Sequence, residues 1–247
     1  MFNQNFSVVI TTCNRLTEVN RAINSVIKYA TNFSELVVVD NGDKPSKIEY
    51  TDPRIRYIRT RSFIGSQLAR NIGVSFCQSD WVLFLDDDDE LCSDIRNIEN
   101  AEPENQAILS SSIVYQEDRI ISYRRINQNS FSEGLLINNP FTFSGTLIRV
   151  DFFLKIGCMR QAFISLQDWD LWLRMYPFKN SILINAEIFS KINIGKHTRI
   201  STSNNFYLSY RRLVLANVGS YLSKIINPIH LKITCVVTYR LFKSLFI

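Results

Sequence analysis

Residues that build disulfide-linked or metal-stabilised small domains are scarce in this sequence. It has two histidines and five scattered cysteines within 247 residues, and no cysteines form a C-x-x-C pair. An odd cysteine count at such spacings does not favour a disulfide framework or a structural zinc site. Eight glycines and six prolines are too few for a collagen-like or low-complexity chain. We therefore expect a globular protein with its own hydrophobic core, in a reducing cytosol.

Signals for export or for crossing a membrane are weak as well. The first residues, MFNQNFSVVITTCNR, lack the basic region and the long apolar region of a secretory signal. We expect this N-terminus to stay on the mature protein. Near the C-terminus, charges interrupt the apolar run too often for the roughly 20 apolar residues that a membrane-spanning helix needs.

Acidic residues are absent after Glu187. Residues 188–247 hold nine Lys or Arg and no Asp or Glu, whereas residues 1–187 hold 19 basic and 23 acidic residues. From about Phe206, two helical segments separated by Asn227-Pro228 alternate these charges with apolar residues. This pattern predicts a basic helical extension that lies on an anionic membrane surface. Packing of the extension on the rest of the chain stays open as the alternative. Because the basic residues form no broad Lys/Arg face, nucleic acid is not an expected partner.

Strand and helix patterns alternate in the first hundred residues. Short apolar runs bounded by polar turns predict strands that are covered on both faces: SVVITT, ELVVVD, IRYIRT and WVLFLD. Two segments have the spacing of amphipathic helices, LTEVNRAINSVIKYA and GSQLARNIGVSFCQ, although Gly73 weakens the second prediction. Further along, AILSSSIVYQ, RIISYRRI and FSGTLIRV predict strands, and ISLQDWDLWLRMY predicts a helix. This order indicates an α/β protein with a mainly parallel sheet.

Five consecutive acids, DDDDE at residues 86–90, follow the fourth predicted strand. Ligands of open α/β sheets bind beyond the carboxyl ends of the strands. Clustered carboxylate oxygens suit Mg²⁺ or Mn²⁺. The run therefore predicts a divalent metal site, and a solvated acidic turn is the alternative.

Five segments occur in the order and approximate spacing typical of the family 2 glycosyltransferases: VVITTCNR, VVVDNGD, GSQLARNIG, WVLFLDDDDE and QDWDLWLR. The sequence resembles this family from about Ser7 to Arg174 and more loosely to about Ser201. The resemblance implies a GT-A fold, with a Rossmann-like, mainly parallel sheet and helices on both faces. The implied GT-A domain is residues 1–205, with a nucleotide-sugar-binding half at about 1–100 and an acceptor half at about 101–205. Residues 206–247 form the helical extension.

The resemblance also implies roles on the donor side. Thr11, Cys13 and Arg15 correspond to positions that line the nucleoside pocket, and Asp40 to the position that hydrogen-bonds the base. Arg70 corresponds to a residue that contacts the nucleotide or its phosphates. These residues follow or adjoin the strands at the sheet edge where ligands are expected.

Within the acidic run, Asp86 and Asp88 correspond to the D-x-D motif of the family. The resemblance makes Asp88 the direct ligand of Mn²⁺ or Mg²⁺, with Asp86 at the metal or at the ribose. Asp87 occupies the variable middle position beside the nucleotide-sugar and is expected to be dispensable. His197, in GKHTRIS, corresponds to a histidine that contacts the metal or the diphosphate, and a structural role is its alternative.

QDWDLWLR resembles the family's Glu-Asp segment, whose second acid removes the proton from the acceptor hydroxyl. This makes Asp168 the implied catalytic base, and a surface acid is the alternative. Gln167 stands where the family usually has Glu, which removes a charge beside the base and affects acceptor contacts. Trp169 is a candidate for stacking on an acceptor sugar ring, and Asp170 is the nearest rival for the base.

The activity implied by the resemblance is inverting transfer of a hexose from a UDP-sugar to a hydroxyl of a lipid-linked saccharide. Chain size, N-terminus and basic tail resemble bacterial enzymes that extend undecaprenyl-diphosphate-linked sugars in O-antigen, lipopolysaccharide or capsule synthesis. These act peripherally at the cytoplasmic face of the inner membrane. Transfer of glucose from UDP-glucose to GlcNAc-diphospho-undecaprenol is the most specific form. Two alternatives remain. One is a sugar nucleotidyltransferase, although such enzymes usually have a Gly-rich phosphate loop and VVITTCNR has none. The other is a non-catalytic membrane-associated subunit of a polysaccharide assembly complex.

Overall fold

The N-terminal half of the chain is a parallel sheet. The computed structural model of the protein describes residues 2, 4–46, 48, 50, 52–131, 133–163, 165–194, 206–219, 221 and 231–243. β1 (Phe6–Thr12), β2 (Glu35–Asp40), β3 (Ile55–Arg59) and β4 (Trp81–Asp86) lie in the order β3-β2-β1-β4 and pair in parallel. The winding direction reverses at β1, so the carboxyl ends of β1 and β4 form the topological switch point of the sheet. Thr11 pairs with Asp86 there.

Two helices cover opposite faces of this sheet. α1 (Leu16–Tyr29) packs on the face that carries Val8 and Ile10, whereas α2 (Ser66–Ser75) packs on the face that carries Val9. Gly73 lies where α2 meets β1, and a Cβ there would be 2.5 Å from Val9 Cγ1. The glycine that weakened the sequence prediction is therefore what lets the helix approach the sheet.

The C-terminal half adds strands to the free side of β4. β5 (Glu90–Leu91), β6 (Ala107–Gln116), β7 (Arg119–Arg124), β8 (Thr146–Arg149) and β9 (Ile182–Asn193) extend the order to β3-β2-β1-β4-β8-β6-β9-β5, with β7 paired to β6. β8 is antiparallel to β4 and β6, and β9 is parallel to β6. The result is a curled, mostly parallel mixed sheet, which confirms the predicted fold class.

Three short helices border this half: α3 (Glu133–Ile137), α4 (Val150–Lys155) and α5 (Gln167–Met175). α5 buries Leu171, Trp172 and Leu173 completely, as its apolar spacing predicts. α3 and α5 are joined by a hydrogen bond from Trp169 Nε1 to the carbonyl of Leu135 (2.7 Å). The start of α5 is therefore held against the end of α3.

The extension packs on this domain. Its helices are α6 (Phe206–Ala216) and α7 (Leu231–Lys243), and Tyr210, Leu213 and Val237 join the same hydrophobic core as α5. Across the described residues, no helix is long and apolar enough to cross a membrane. α7 presents different side chains to the domain and to solvent. Arg240 turns toward the domain, while Tyr239 and Phe242 are exposed.

Candidate active site

An open cleft of about 610 Å³ lies beyond the carboxyl end of β4. Its walls bring together side chains from the whole chain, including α2, the segment after β4, α5 and α7. Seven residues that the sequence analysis predicted as site residues line it: Arg15, Arg70, Asp86, Asp88, Gln167, Asp168 and Trp169. Their proximity is a finding of the structure, and their individual roles stay predictions.

Asp86, the last residue of β4, faces the cleft and forms an ion pair with Arg70 Nη2. Arg70 is only 6% exposed, and its guanidinium lies 4.2 Å from the ring centroid of Phe143. A buried arginine held between a carboxylate and a ring keeps a fixed orientation. The cleft therefore contains a positioned positive charge next to the first aspartate of the run.

Asp88 also faces the cleft, with 38% of its side chain exposed. It accepts a hydrogen bond from Arg15 Nη1 (2.8 Å). Arg21 Nη2 and Asn193 Nδ2 donate to its main-chain carbonyl, at 2.9 and 2.8 Å. The backbone at Asp88 is thus fixed independently of the contact that its carboxylate makes.

Asp87 and Asp89 have structural roles. Asp87 accepts hydrogen bonds from Thr12 Oγ1 (2.8 Å) and from Arg15 (3.1 Å). Asp89 accepts from Ser144 Oγ (2.5 Å) and from the amide of Asn193 (2.9 Å). Burial raises the pKa of Asp87 to about 6 and the pKa of Asp89 well above its usual range. The buried carboxylate of Asp87 ties the acidic loop to β1. Its contact with the nucleotide-sugar and its dispensability stay predictions.

The acidic end of the cleft fits a hard divalent cation. Burial raises the pKa of Asp88, and the charge of Asp86 adds to this effect. A bound cation would relieve the repulsion between these two negative charges. Mg²⁺ and Mn²⁺ commonly bind through one or two carboxylates, completed by water and substrate phosphates. No three His, Cys, Asp or Glu side chains converge as ligands within the part of the chain that the structure describes. His197 lies outside the described residues. Asp86 and Asp88 together fit a metal ion whose coordination shell is completed by the substrate.

Asp168 is held in one orientation at the start of α5. Its Oδ2 accepts from Asn139 Nδ2 (2.7 Å), and its Oδ1 accepts from the amide of Trp169 (2.8 Å). Burial raises the pKa of Asp168, although these hydrogen bonds and the charge of Arg70 partly offset the rise. Leu166, just before α5, has φ 62°, which is rare for leucine and typical of strained functional sites. A fixed carboxylate with a raised pKa suits general-base catalysis.

Asp170, the rival candidate for the base, is fully buried. It is bound by Arg160 Nη1 (3.2 Å), Arg174 Nε (3.0 Å) and Asn217 Nδ2 (2.9 Å). Its charge is therefore used inside the protein to join α5 to the segment after α6. Asp168 is the carboxylate of α5 that reaches the cleft.

The sequence matches the family described as Glycosyl transferase family 2 over residues 7–154, which is more than half of the chain. The chain belongs to this family. An "Uncharacterized glycosyltransferase" of Haemophilus influenzae is 27% identical over 180 residues, which cover 68% of this family 2 chain and 61% of that protein. Another, from Rickettsia felis, is 27% identical over 238 residues, which cover 87% of this chain and 36% of that protein. The chain thus spans less than two thirds of the length of these relatives.

Crystal structures of S. aureus TarS share the fold of this family 2 protein. TarS 1-349 in complex with UDP-GlcNAc has a TM-score of 0.66 at 16% identity, and the match covers 96% of this chain and 71% of that one. The complex of TarS 1-349 with UDP has a TM-score of 0.67, again at 16% identity, and covers 96% and 70%. The likeness establishes a GT-A fold.

Three residues that the family resemblance assigned to the nucleoside pocket lie outside the cleft wall: Thr11, Cys13 and Asp40. Asp40 is fully buried and accepts hydrogen bonds from Tyr57 Oη (2.6 Å) and from the amides of Ser46 (2.7 Å) and Gly42 (2.9 Å). Burial alone would raise the pKa of Asp40, but these hydrogen bonds lower it. The contact between Asp40 and a base stays a prediction, and in this structure the carboxylate organises the loop after β2.

The two predicted acceptor residues of this family 2 chain are tied to neighbouring elements. Trp169 is 2% exposed, and its ring packs 5.6 Å from the ring of Tyr210. Stacking on a sugar needs an exposed ring face, so the predicted stacking by Trp169 does not fit the structure. Gln167 accepts a hydrogen bond from Gln67 Nε2 (3.0 Å), which connects it to α2.

The cleft wall also contains residues that sequence reasoning did not predict as site residues, among them Arg124, Asn139 and Arg240. Asn139 lies in an irregular stretch without a motif. Arg240 belongs to a helix whose pattern had been interpreted as membrane-facing. A basic residue that interrupts an apolar run was the available signal, but it does not identify the cleft as its location.

Proposed function

We propose that this chain is an inverting glycosyltransferase that moves a hexose from a UDP-sugar to a hydroxyl of a lipid-linked saccharide. One observation carries the proposal. The same cleft holds two solvent-accessible carboxylates beside two arginines and a separate fixed carboxylate, Asp168, whose pKa is raised. Family membership supports the transfer chemistry. The specific form is transfer of glucose from UDP-glucose to GlcNAc-diphospho-undecaprenol in synthesis of O-antigen or another surface polysaccharide.

Asp86, Asp88, Arg15 and Arg70 form the donor end of the cleft in this proposal. Asp86 and Asp88 would hold Mn²⁺ or Mg²⁺, which when bound neutralises charge on a departing diphosphate. Arg15 and Arg70 lie against these two carboxylates, so the donor end offers both signs of charge. Support for a UDP-sugar donor comes from TarS, which shares the fold and has been crystallised with UDP-GlcNAc.

Asp168 is the base in the proposed reaction. It takes the proton of the acceptor hydroxyl while that oxygen bonds to the anomeric carbon of the donor. The bond from the anomeric carbon to the diphosphate oxygen breaks, and UDP leaves with the electron pair. Attack from the face opposite the leaving group inverts the anomeric configuration. Asn139 and the Trp169 amide orient the carboxylate through the transfer.

The proposed place of action is the cytoplasmic face of the bacterial inner membrane. α7 exposes Tyr239 and Phe242, with 58% and 59% of each residue accessible, and aromatic side chains are favoured at membrane interfaces. Residues 188–247 carry nine basic and no acidic residues. Each Lys or Arg near an anionic surface contributes about 1 kcal/mol. Peripheral attachment would bring the cleft close to a lipid-linked acceptor.

A panel of nucleotide-sugars with a synthetic GlcNAc-diphosphate-lipid acceptor tests the proposal. We expect glycosyl transfer from a UDP-hexose in the presence of Mn²⁺ or Mg²⁺, loss of transfer in EDTA, and an inverted anomeric signal by NMR. Pyrophosphate release without glycosyl transfer would identify a nucleotidyltransferase instead. Absence of both turnover and UDP binding by calorimetry would identify a non-catalytic subunit.

A further inference from the structure

Arg240 connects the C-terminal helix to the cleft. It comes from α7, lines the cleft and is partly buried. Its guanidinium carbon lies 5.0 Å from the ring centroid of Tyr210, 5.8 Å from that of Phe206 and 5.9 Å from that of Trp169. Rings from α5 and α6 therefore surround this cation and fix its position.

The same guanidinium holds the end of α3. Its Nη1 donates to the carbonyl of Ile137 (2.5 Å), and its Nη2 donates to Asn138 Oδ1 (3.1 Å). Ile137 is the last residue of α3, where main-chain carbonyls lack helical partners and a cation is favourable. Arg240 thus binds two consecutive residues with the two arms of one planar group.

The next residue along this segment is Asn139, which donates to Asp168 Oδ2 (2.7 Å). Asn139 Oδ1 in turn accepts from the amide of Phe141 (3.2 Å). A continuous series of contacts therefore runs from α7 through residues 137–139 to the carboxylate at the start of α5. The series includes no contact between Arg240 and Asp168.

We infer that Arg240 is a positioning residue for catalysis: the C-terminal helix fixes residues 137–139 and, through Asn139, the orientation of the Asp168 carboxylate. This inference rests on the proposed function, because it takes Asp168 as the base. It makes α7 part of the active site, whatever its exposed face binds. A small displacement of a catalytic group by a distant change lowers turnover strongly, by up to about 100-fold.

If Arg240 instead bound a substrate phosphate directly, its variants would show different kinetics. Lysine can largely replace arginine in a contact to phosphate, and loss of such a contact raises KM. The positioning role needs the two-armed donor geometry, which lysine cannot reproduce. Arg240→Met, Arg240→Lys and Asn139→Ala, with the double variant Arg240→Met/Asn139→Ala, separate these roles. Arg212→Met, a change at an exposed arginine of α6, is the matched control.

In the full-length protein we expect Arg240→Met to lower kcat about tenfold or more, with KM for both substrates unchanged. Arg240→Lys should recover only part of this loss, and Arg212→Met should match the unaltered protein. The double variant should be no slower than Asn139→Ala alone, because both changes break one series of contacts. Additive losses of kcat in the double variant would overturn the inference. An effect of Arg240→Met confined to KM would overturn it as well.

The pH profile gives a readout that general loosening of the structure does not predict. The hydrogen bond from Asn139 favours the ionised form of Asp168, so losing it should raise the pKa of Asp168 further. Arg70, from α2, also acts on this carboxylate and is retained in every variant. The acid limb of kcat should therefore move to higher pH in Arg240→Met and in Asn139→Ala by the same amount. An unshifted limb in Arg240→Met contradicts the inference.

Hydrogen exchange separates failure of this inference from failure of the proposed function. The Phe141 amide, protected by Asn139, should exchange faster in Arg240→Met than in Arg212→Met, and this needs no turnover. If no donor supports turnover but Phe141 exchange accelerates, the proposed function fails while the structural coupling stands. Unchanged exchange overturns the coupling even in an active enzyme.

Discussion

Asp87 and Asp88 are neighbours in sequence, yet 9% of one side chain and 38% of the other are exposed. Asp87 is bonded to β1 through Thr12, whereas Asp88 faces the cleft. Both residues lie in the turn after β4, which is closed by a hydrogen bond from the Asp89 amide to the Asp86 carbonyl (3.1 Å). Successive side chains of this turn point in different directions, so a run of identical acids is divided between structural and exposed positions. The function of each aspartate therefore follows from its direction and burial.

Asp88→Ala should abolish metal-dependent turnover, lowering kcat/KM by about 100-fold or more, while leaving the melting temperature nearly unchanged. The reason is that its carboxylate is exposed and its backbone is held by Arg21 and Asn193. Asp80→Ala is the matched control, since Asp80 is exposed at the opposite end of β4. Calorimetric titration of Mn²⁺ in the presence of UDP, beside steady-state assays, checks the loss. Full Mn²⁺ binding by Asp88→Ala would contradict the assignment.

Asp168→Asn should lower kcat by about 10²- to 10⁴-fold without destabilising the fold. Because burial raises the pKa of Asp168, the folded protein holds this proton more tightly than the unfolded chain. Ionisation above the unfolded pKa therefore weakens the folded state. Near pH 7 the neutral asparagine should give an equal or higher melting temperature, and this advantage should vanish as pH falls below the unfolded pKa. Thermal melts at several pH values and single-turnover assays measure both effects.

At the scale of secondary-structure elements, buried charges and close backbone contacts decide how layers meet. The carboxylate of Asp170 joins α5 to Arg160, Arg174 and Asn217. Gly73 allows α2 to approach β1. Neither residue lines the cleft, and both are expected to affect stability rather than turnover per folded molecule.

Asp170→Ala should destabilise the protein by about 3–5 kcal/mol, because it leaves Arg174, whose side chain is 8% exposed, without its buried partner. Arg160→Met is the control, since 39% of the Arg160 side chain is exposed and such a pair contributes about 0–1 kcal/mol. Denaturant unfolding of both variants gives the two free energies. Equal destabilisation by the two changes would show that burial of the pair does not set its strength.

Gly73→Ala should cost about 1–3 kcal/mol, because the new Cβ would lie 2.5 Å from Val9 Cγ1 in a packed layer. Gly134→Ala, in α3, is the matched control. Its Cβ would lie 3.5 Å from the Asn129 carbonyl oxygen, so alanine should stabilise the protein by about 0.5–1 kcal/mol. Denaturant unfolding measures the change in the free energy of unfolding for each variant. A neutral Gly73→Ala would mean that α2 can move outward at little cost.

Element prediction succeeded where periodicity is strong and failed where it is interrupted. β1, β2 and β4 are short apolar runs between polar turns, and α1 has a clear amphipathic repeat, so all were evident from the sequence. β9 was missed because its pairing with β6 shifts between Ser110 and Ser112. The extra residues of such a bulge break the two-residue repeat that identifies a strand.

Candidate site residues were predictable only where a local motif marks them. Asp86, Asp88 and Asp168 lie in short segments with recognisable composition, and all three line the cleft. Asn139 and Arg240 reach the cleft through tertiary packing that no local pattern specifies. Asp40 was marked by its position at the end of β2, but the sequence did not reveal that its oxygens bind Tyr57 and the amides of the following loop.

At the scale of the whole molecule, the extension has two distinct faces. Val237 and Arg240 face the domain, while Tyr239 and Phe242 are exposed. Deleting residues after 227 would remove both faces at once. Its effect on membrane partitioning would therefore not distinguish loss of a membrane contact from damage to the cleft.

Tyr239→Ser/Phe242→Ser should weaken binding to vesicles that contain anionic lipid, because it removes exposed aromatic surface and keeps Val237 and Arg240. Melting temperature and turnover of a soluble acceptor should stay unchanged. Binding by the unaltered protein should also fall as salt rises, because exposed charges are screened. Vesicle sedimentation measures both effects, with the exposed pair Ile120→Ser/Ile121→Ser of β7 as control. Equal binding by both double variants would remove α7 from the membrane contact.

The position of Arg240 late in the sequence has a consequence for protein synthesis. The four parallel strands β1 to β4 and the acidic run are complete once residue 90 has left the ribosome, and N-terminal units generally fold first. The contacts that hold residues 137–139 require α7, which is made last among the described elements. A nascent chain can thus present its acidic end early, while the base side of the cleft is completed only after translation has passed residue 240. Ribosome-bound intermediates should therefore acquire nucleotide binding before they acquire transfer activity.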